Sequence, residues 1–145
     1  MNLTATPFSL DPRLAAEAAA TLTRPHALVI LRDEARFPWL VVVPRRSGVK
    51  EVFDLLPSEQ TALWALVSGL SQTLRTETGA AKINIAAFGN MVPQLHIHIV
   101  ARREEDPAWP GSAVGFGERQ PYGKGAETPR WWERLCQQLG GQAEI

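Results

Sequence analysis

An α+β domain, with an antiparallel sheet and one main packing helix, is the architecture this sequence predicts. Three observations point to it. Leu63, Leu66, Val67, Leu70 and Leu74 recur at the offsets of a single helix face. Ala27 to Leu31 and Trp39 to Val43 are two apolar, β-branched runs joined by a short polar stretch. Gln94 to Val100 alternates strictly, with Leu95, Ile97 and Ile99 on one side and Gln94, His96 and His98 on the other.

The elements follow in chain order. Asp11-Pro12 reads as a helix start, a side-chain cap followed by proline at the first helical position. The Ala-rich stretch from Arg13 to Leu22 continues that helix until Thr23-Arg24-Pro25 stops it. Ala27 to Leu31 is the first strand, Arg32 to Pro38 a polar turn, and Trp39 to Val43 the second strand, ended by Pro44. A short connection makes the pair an antiparallel hairpin. Ser58, after Pro57, is expected to cap the main helix, and Gly79 to end it. Lys82 to Phe88 gives a third strand, Gly89-Asn90 a turn, and Leu95 to Ala101 a fourth strand carrying two histidines. Beyond Arg103, prolines and glycines from Pro107 to Gly125 interrupt regular structure, and a short helix is expected from Arg130 to Leu139.

Composition narrows the function classes. A chain of 145 residues has one domain's length, enough to bury roughly 70% of its unfolded surface. Fifteen basic residues balance fifteen acidic ones, so bulk charge does not draw the chain to nucleic acid or an anionic membrane. A phosphate-bearing ligand must then be held by local geometry. A lone cysteine, Cys136, forms no internal disulfide and suits a reducing compartment. Met1 to Leu10 lacks the features of a secretory signal, and no apolar run approaches the roughly 18 residues of a membrane span. A cytoplasmic location is expected.

Two of the chain's three histidines stand side by side on one strand face. Neutral imidazole is both a base and a nucleophile, and it changes charge near neutral pH. Attack at phosphorus needs one ring nitrogen held with its lone pair free, and donors around the phosphoryl oxygens. Asn84 and Asn90, just upstream, are neutral amide donors for such oxygens, although an asparagine after Gly89 is also an ordinary turn residue. His-x-His on a strand can also hold a metal, as in cupin-type barrels. Glu104 lies six residues beyond His98 and His26 far upstream, so the ligand count falls short and no metal is expected. Alternation alone also permits two polar residues on a solvent-facing surface.

Gln94 to Val100 resembles the signature of the histidine-triad (HIT) superfamily, His-φ-His-φ-His-φ-φ with φ apolar, and Ala101-Arg102 continue the likeness. The Asp33 turn, the Val43-Pro44-Arg45 strand exit, the helix from Ser58, the Asn84 strand and Trp109-Pro110-Gly111 fall in the family's order. The resemblance covers about residues 8–117. It is nearest to a bacterial branch related to diadenosine polyphosphate hydrolases. It implies a single HIT-like domain over residues 1–145, with a core at 8–117 and an irregular C-terminal extension at 118–145.

The resemblance also implies roles. His96 would be the nucleophile, attacking the α-phosphorus of a nucleoside phosphoramidate or dinucleoside polyphosphate with a purine base. A nucleotidyl-histidine would form and pass to water. His98 would orient the His96 ring through its backbone carbonyl and bring its side chain to the phosphate. Asn84 and Asn90 would bind phosphate and Asp33 the ribose, although Asp also favours plain turns. A homodimer is implied, with no cofactor, metal, nucleic acid or membrane. Trp109 would serve as a structural anchor more than as a pocket wall, and Trp131-Trp132 as docking area.

One position departs from the pattern. Gln94 stands where the family has its first histidine. Glutamine keeps a donor and an acceptor but cannot titrate. Loss of a proton transfer there would slow the reaction about 10²–10⁴-fold. Two function classes therefore compete: a hydrolase or transferase working through His96, and a nucleotide-binding module with little chemistry.

Overall fold

The structure is a computed structural model that describes residues 6–140. It opens on one helical turn, α1 (Pro12–Ala15), with the Asp11 carboxylate accepting from the Arg13 N–H at 2.9 Å. The expected helix ends there. The rest of the Ala-rich stretch is a strand, β1 (Ala18–Thr23), paired antiparallel with β2 (Ala27–Arg32) through a bulge between Ala18 and Ala20. Helix propensity separates residues by a few tenths of a kcal/mol each. The ladder to β2 and burial of Ala20 and Leu22 in the core outweigh it here.

β3 (Trp39–Pro44) closes the expected hairpin, with Ile30 opposite Val41. After a single 3-10 turn at Val52–Asp54 comes the main helix, α2 (Pro57–Thr78). Ser58 does not cap it. Leu56 is the N-cap and Pro57 the first helical residue, and the Leu56 N–H donates to Glu59 Oε2 at 2.8 Å. Gly79 ends the helix at φ 66°, a conformation that costs glycine no Cβ clash. β4 (Lys82–Ala86) is two residues shorter than expected, and β5 (Ile97–Arg102) begins after His96 rather than at Leu95. The five strands form one antiparallel sheet in the order β1-β2-β3-β5-β4. α3 (Arg130–Gln138) follows near the C-terminus.

The two faces of the sheet carry different cores. Val29, Leu31, Leu40, Val42, Ile97 and Ile99 pack beneath α2, which contributes Leu63, Val67, Leu70 and Leu74. Trp132, Leu135 and Cys136 of α3 join the same cluster, and Trp132 is fully buried. The terminal tryptophan thus docks on its own chain. On the opposite face lie Ile30, Trp39, Val41, Val43 and Val100, covered by Leu14 of α1 and by Phe8, Leu10, Ala108, Ala113 and Val114 from irregular segments. That face also carries His98. Among the described residues no helix is long and apolar enough to cross a membrane.

Candidate active site

His98 lies inside β5, paired with Val41 on one side and Ala86 on the other. His96 lies just ahead of the strand and is 7% exposed. The rings meet edge to face, centroids 5.0 Å apart at 77°. Each ring has one nitrogen committed. His96 Nδ1 is 2.7 Å from the Gln94 backbone carbonyl. A carbonyl only accepts, so Nδ1 carries the proton and Nε2 keeps its lone pair. The carbonyl is that of Gln94, not of His98 as expected, because β5 has not yet begun at residues 94–96 and that peptide turns toward the ring.

His98 has the opposite arrangement. Trp39 Nε1–H donates to His98 Nδ1 at 3.0 Å. Indole only donates, so Nδ1 supplies the lone pair and the neutral ring has its proton on Nε2. Burial, then the neighbouring His96, then Arg32 push the His98 pKa down from 6.5 to about 3. The Arg32 guanidinium lies 4.1 Å from the Trp39 ring centre and pairs with Glu17 at 3.0 Å. The two imidazoles thus present complementary edges, one with a free lone pair and one with an N–H.

Gln94 touches His96 through its backbone carbonyl, while its side-chain amide is bonded to the N-terminal segment. Its Oε1 accepts from the Asp11 N–H at 2.8 Å, and its Nε2 donates to the Ser9 carbonyl at 2.9 Å. The amide fastens the N-terminal segment along the histidine face. Asp11 itself is held ionised, below the usual carboxylate range, by Arg13 hydrogen bonds, and Arg13 also donates to the Met91 carbonyl at 2.9 Å.

Asn84 sits on the histidine face of β4, opposite Val100 and two residues from Ala86. Its Oδ1 accepts from Arg102 Nη1 at 2.8 Å. Asn90 is exposed in the bend between Gly89 and the histidines. Asp33 is turned to the C-terminal segment: its carboxylate accepts from the Tyr122 N–H at 2.8 Å and from Arg119 at 3.4 Å. Trp109 is half-buried, 5.8 Å from the Arg102 guanidinium, an anchor over that charge.

Residues 13–105 match the family model of the HIT domain. The chain belongs to the HIT, or histidine-triad, family. A histidine triad protein from Marinobacter aquaeolei VT8 superimposes on 92% of this HIT chain with a TM-score of 0.85 and 36% identity, over 96% of its own length. Its shared architecture is the α+β HIT fold, a five-stranded antiparallel sheet with packed helices. The bifunctional bis(5'-adenosyl)-triphosphatase/adenylylsulfatase FHIT of Arabidopsis thaliana is 30% identical over 105 residues, 69% of this chain and 56% of that protein. The asymmetrical bis(5'-nucleosyl)-tetraphosphatase of Schizosaccharomyces pombe is 33% identical over 72 residues, 46% of this chain. The match spans 39% of that protein's length, so the chain aligns with between about two fifths and somewhat over half of these curated relatives.

Several groups of this HIT site escaped sequence reasoning. Trp39 reads as one more apolar strand residue until β3 is known to pair with β5. Arg102, 1% exposed, donates to Asp106 at 2.8 and 3.0 Å and to the Gly111 carbonyl at 2.8 Å, which pins the loop over the histidine face. Glu34, equally buried, holds Arg36 in a two-pronged pair at 3.0 and 2.8 Å. The local signal was available in Arg102-x-x-x-Asp106, but it gave no hint of burial. The third histidine, His26, lines a separate cavity of about 630 Å³ between the ends of β2 and β3 and the N-terminal half of α2. Among the described residues, no three His, Cys, Asp or Glu side chains are grouped to hold a metal.

Proposed function

We propose that this HIT protein is a nucleotide phosphohydrolase or nucleotidyl transferase that works through a covalent nucleotidyl-histidine on His96. The observation that carries this reading is the pair of opposite tautomers at 5.0 Å. The His96 Nε2 lone pair forms a bond to the α-phosphorus, and the bond from phosphorus to the leaving group breaks, the leaving group taking its electron pair. The His98 Nε2–H donates to the phosphoryl oxygens as charge grows on them. Water then forms a P–O bond and gives up a proton to solvent, while the P–N bond breaks and its electrons return to Nε2. The substrates are dinucleoside polyphosphates or nucleoside phosphoramidates with a purine base, the first class being the kind named for both curated relatives.

Asn84 offers its NH₂ to phosphate, since Arg102 occupies its oxygen, and exposed Asn90 supplies a second donor. Asp33 accepts ribose hydroxyls: a carboxylate has about four acceptor sites, and its partners use two. A second copy of the chain pairs along the β4 edge, where Ile85, Phe88 and Met91 are exposed. The lone buried Cys136 suits a cytoplasmic setting.

Acid-quenched reactions with adenosine phosphoramidate and diadenosine tetraphosphate test the proposal. Wild type should turn over and carry a nucleotide on His96, and His96→Ala should lose both. Nucleotide binding without turnover or adduct in the wild type would move the protein to the binding-module class, with Gln94 as the cause, because its amide is spent on Ser9 and Asp11.

A further inference from the structure

We propose that Trp39 is a positioning residue that locks His98 as a neutral hydrogen-bond donor, so that this site favours leaving groups that depart without a proton. The inference rests on His96 being the nucleophile and adds a substrate preference to it. Its basis is the direction of one hydrogen bond. Trp39 Nε1–H points at His98 Nδ1 across 3.0 Å, and the rings meet at 76°. Protonating His98 would place an N–H on Nδ1, directly against the indole N–H. Two donors would then share one line, and the bond would be lost.

The groups around His98 oppose protonation as well. Arg32 of β2 brings a positive charge, and its Glu17 partner is already paired with it. His96 lies on the segment before β5, and Phe88 tilts over the ring at 6.2 Å from the connection after β4. Leu14, Ile30 and Val41, together with the Glu17–Arg32 ion pair, line a crevice of about 20 Å³ beside the imidazole, and the Glu17 carboxylate there is already matched by Arg32. Burial here penalises the imidazolium most, consistent with the depressed pKa.

The consequence is chemical. A neutral imidazole donates a hydrogen bond from Nε2 but does not release that proton near neutral pH. A nucleoside polyphosphate leaves as an anion whose conjugate acid has a pKa of about 6, so a hydrogen bond suffices. The nitrogen of a phosphoramidate must gain a proton as the P–N bond breaks, and no imidazolium stands here to give it. The proton would have to come from solvent, forfeiting part of the roughly 10²–10⁴-fold that a positioned acid supplies. Dinucleoside polyphosphates should therefore be turned over in preference to phosphoramidates.

The experiment uses the full chain, as wild type and with Trp39→Phe. A second variant carries β-(3-benzothienyl)alanine at position 39, which keeps the bicyclic bulk and deletes the N–H. Nitrogen-15 NMR of His98 reads the tautomer and its titration. Wild type should show a bare Nδ1, a protonated Nε2 and no titration between pH 8 and pH 5. Both variants should lose the single tautomer and titrate at higher pH than wild type, Trp39→Phe the more so because it also opens the ring to water. An unchanged tautomer in both would overturn the lock. The ratio of kcat/KM for adenosine phosphoramidate to that for diadenosine tetraphosphate, at pH 6, should rise about tenfold or more in the variants. A wild-type His98 that titrates above pH 5 overturns the lock. An unchanged substrate ratio, in variants whose His98 does titrate, overturns the preference. If neither substrate is turned over, the catalytic reading fails instead, and the NMR titration still decides the lock.

Discussion

The two faces of the sheet are closed by different means. Under α2 and α3 the cover is regular: Leu63, Val67, Leu70 and Leu74 meet alternate residues of β2, β3 and β5 in a continuous apolar layer. Over the histidines the cover is irregular, and polar bonds tie it down. Gln94 holds Ser9 and Asp11, and Arg102 holds Asp106 and Gly111. The difference teaches that stability and chemistry are largely assigned to opposite sides. The α2–α3 face is almost wholly apolar, its buried polar atoms being few and enclosed, such as the Trp132 indole N–H, whereas a face closed by hydrogen-bonded loops can leave an opening lined by polar groups.

The largest effect on this contrast should come from Arg102. Arg102→Met leaves the Asp106 carboxylate without its guanidinium and frees Gly111, a change expected to cost about 3–5 kcal/mol. Urea unfolding would measure that loss, and turnover measured where the variant remains folded should fall with it. Leu70→Ala, on the other face, removes a fully packed side chain and should cost about 2–5 kcal/mol. Its turnover per folded molecule should stay near that of wild type. Equal losses of turnover in the two variants would break the division between faces.

A smaller effect sharpens the contrast through pH. His98 has a folded pKa of about 3 against 6.5 in an unfolded chain. The unfolded chain therefore takes up the proton first as pH falls. The contribution of His98 is undiminished above pH 6.5 and erodes below it, by about 1.4 kcal/mol per pH unit until pH 3. Unfolding at pH 7.5 and pH 5.5 should thus differ by about 1 kcal/mol more in wild type than in His98→Gln.

The same division explains what was legible in the sequence. The helix face declared itself by period: the leucine stripe, the β2–β3 hairpin and the alternation around His98 all repeat at short range. Boundaries were less visible. Ala18 to Thr23 looked helical because alanine favours helices in isolation, while its ladder to Leu28 through Arg32 was not a local property. On the site face, His96, His98 and the oddity of Gln94 stood out in one heptapeptide. Their partners did not. Trp39 is 59 residues from His98 and Ser9 is 85 from Gln94, and no periodicity links positions so far apart. Arg102 and Glu34 gave no sequence sign of their burial, since burial of a charge is decided by the loop that closes over it.

Gln94 carries one more consequence, in the time domain. Its bonds to Ser9 and Asp11 join positions 85 and 83 residues apart, so neither can form until Gln94 has been made. At about 5–20 residues per second, the partner arrives roughly 4–17 s after Asp11 is made. For the later part of that interval, once Pro44 has been made, the hairpin of β2 and β3 exists without the bonds that Gln94 supplies over its site face. The N-terminal wall of the site is thus tied to the histidine segment only late in synthesis.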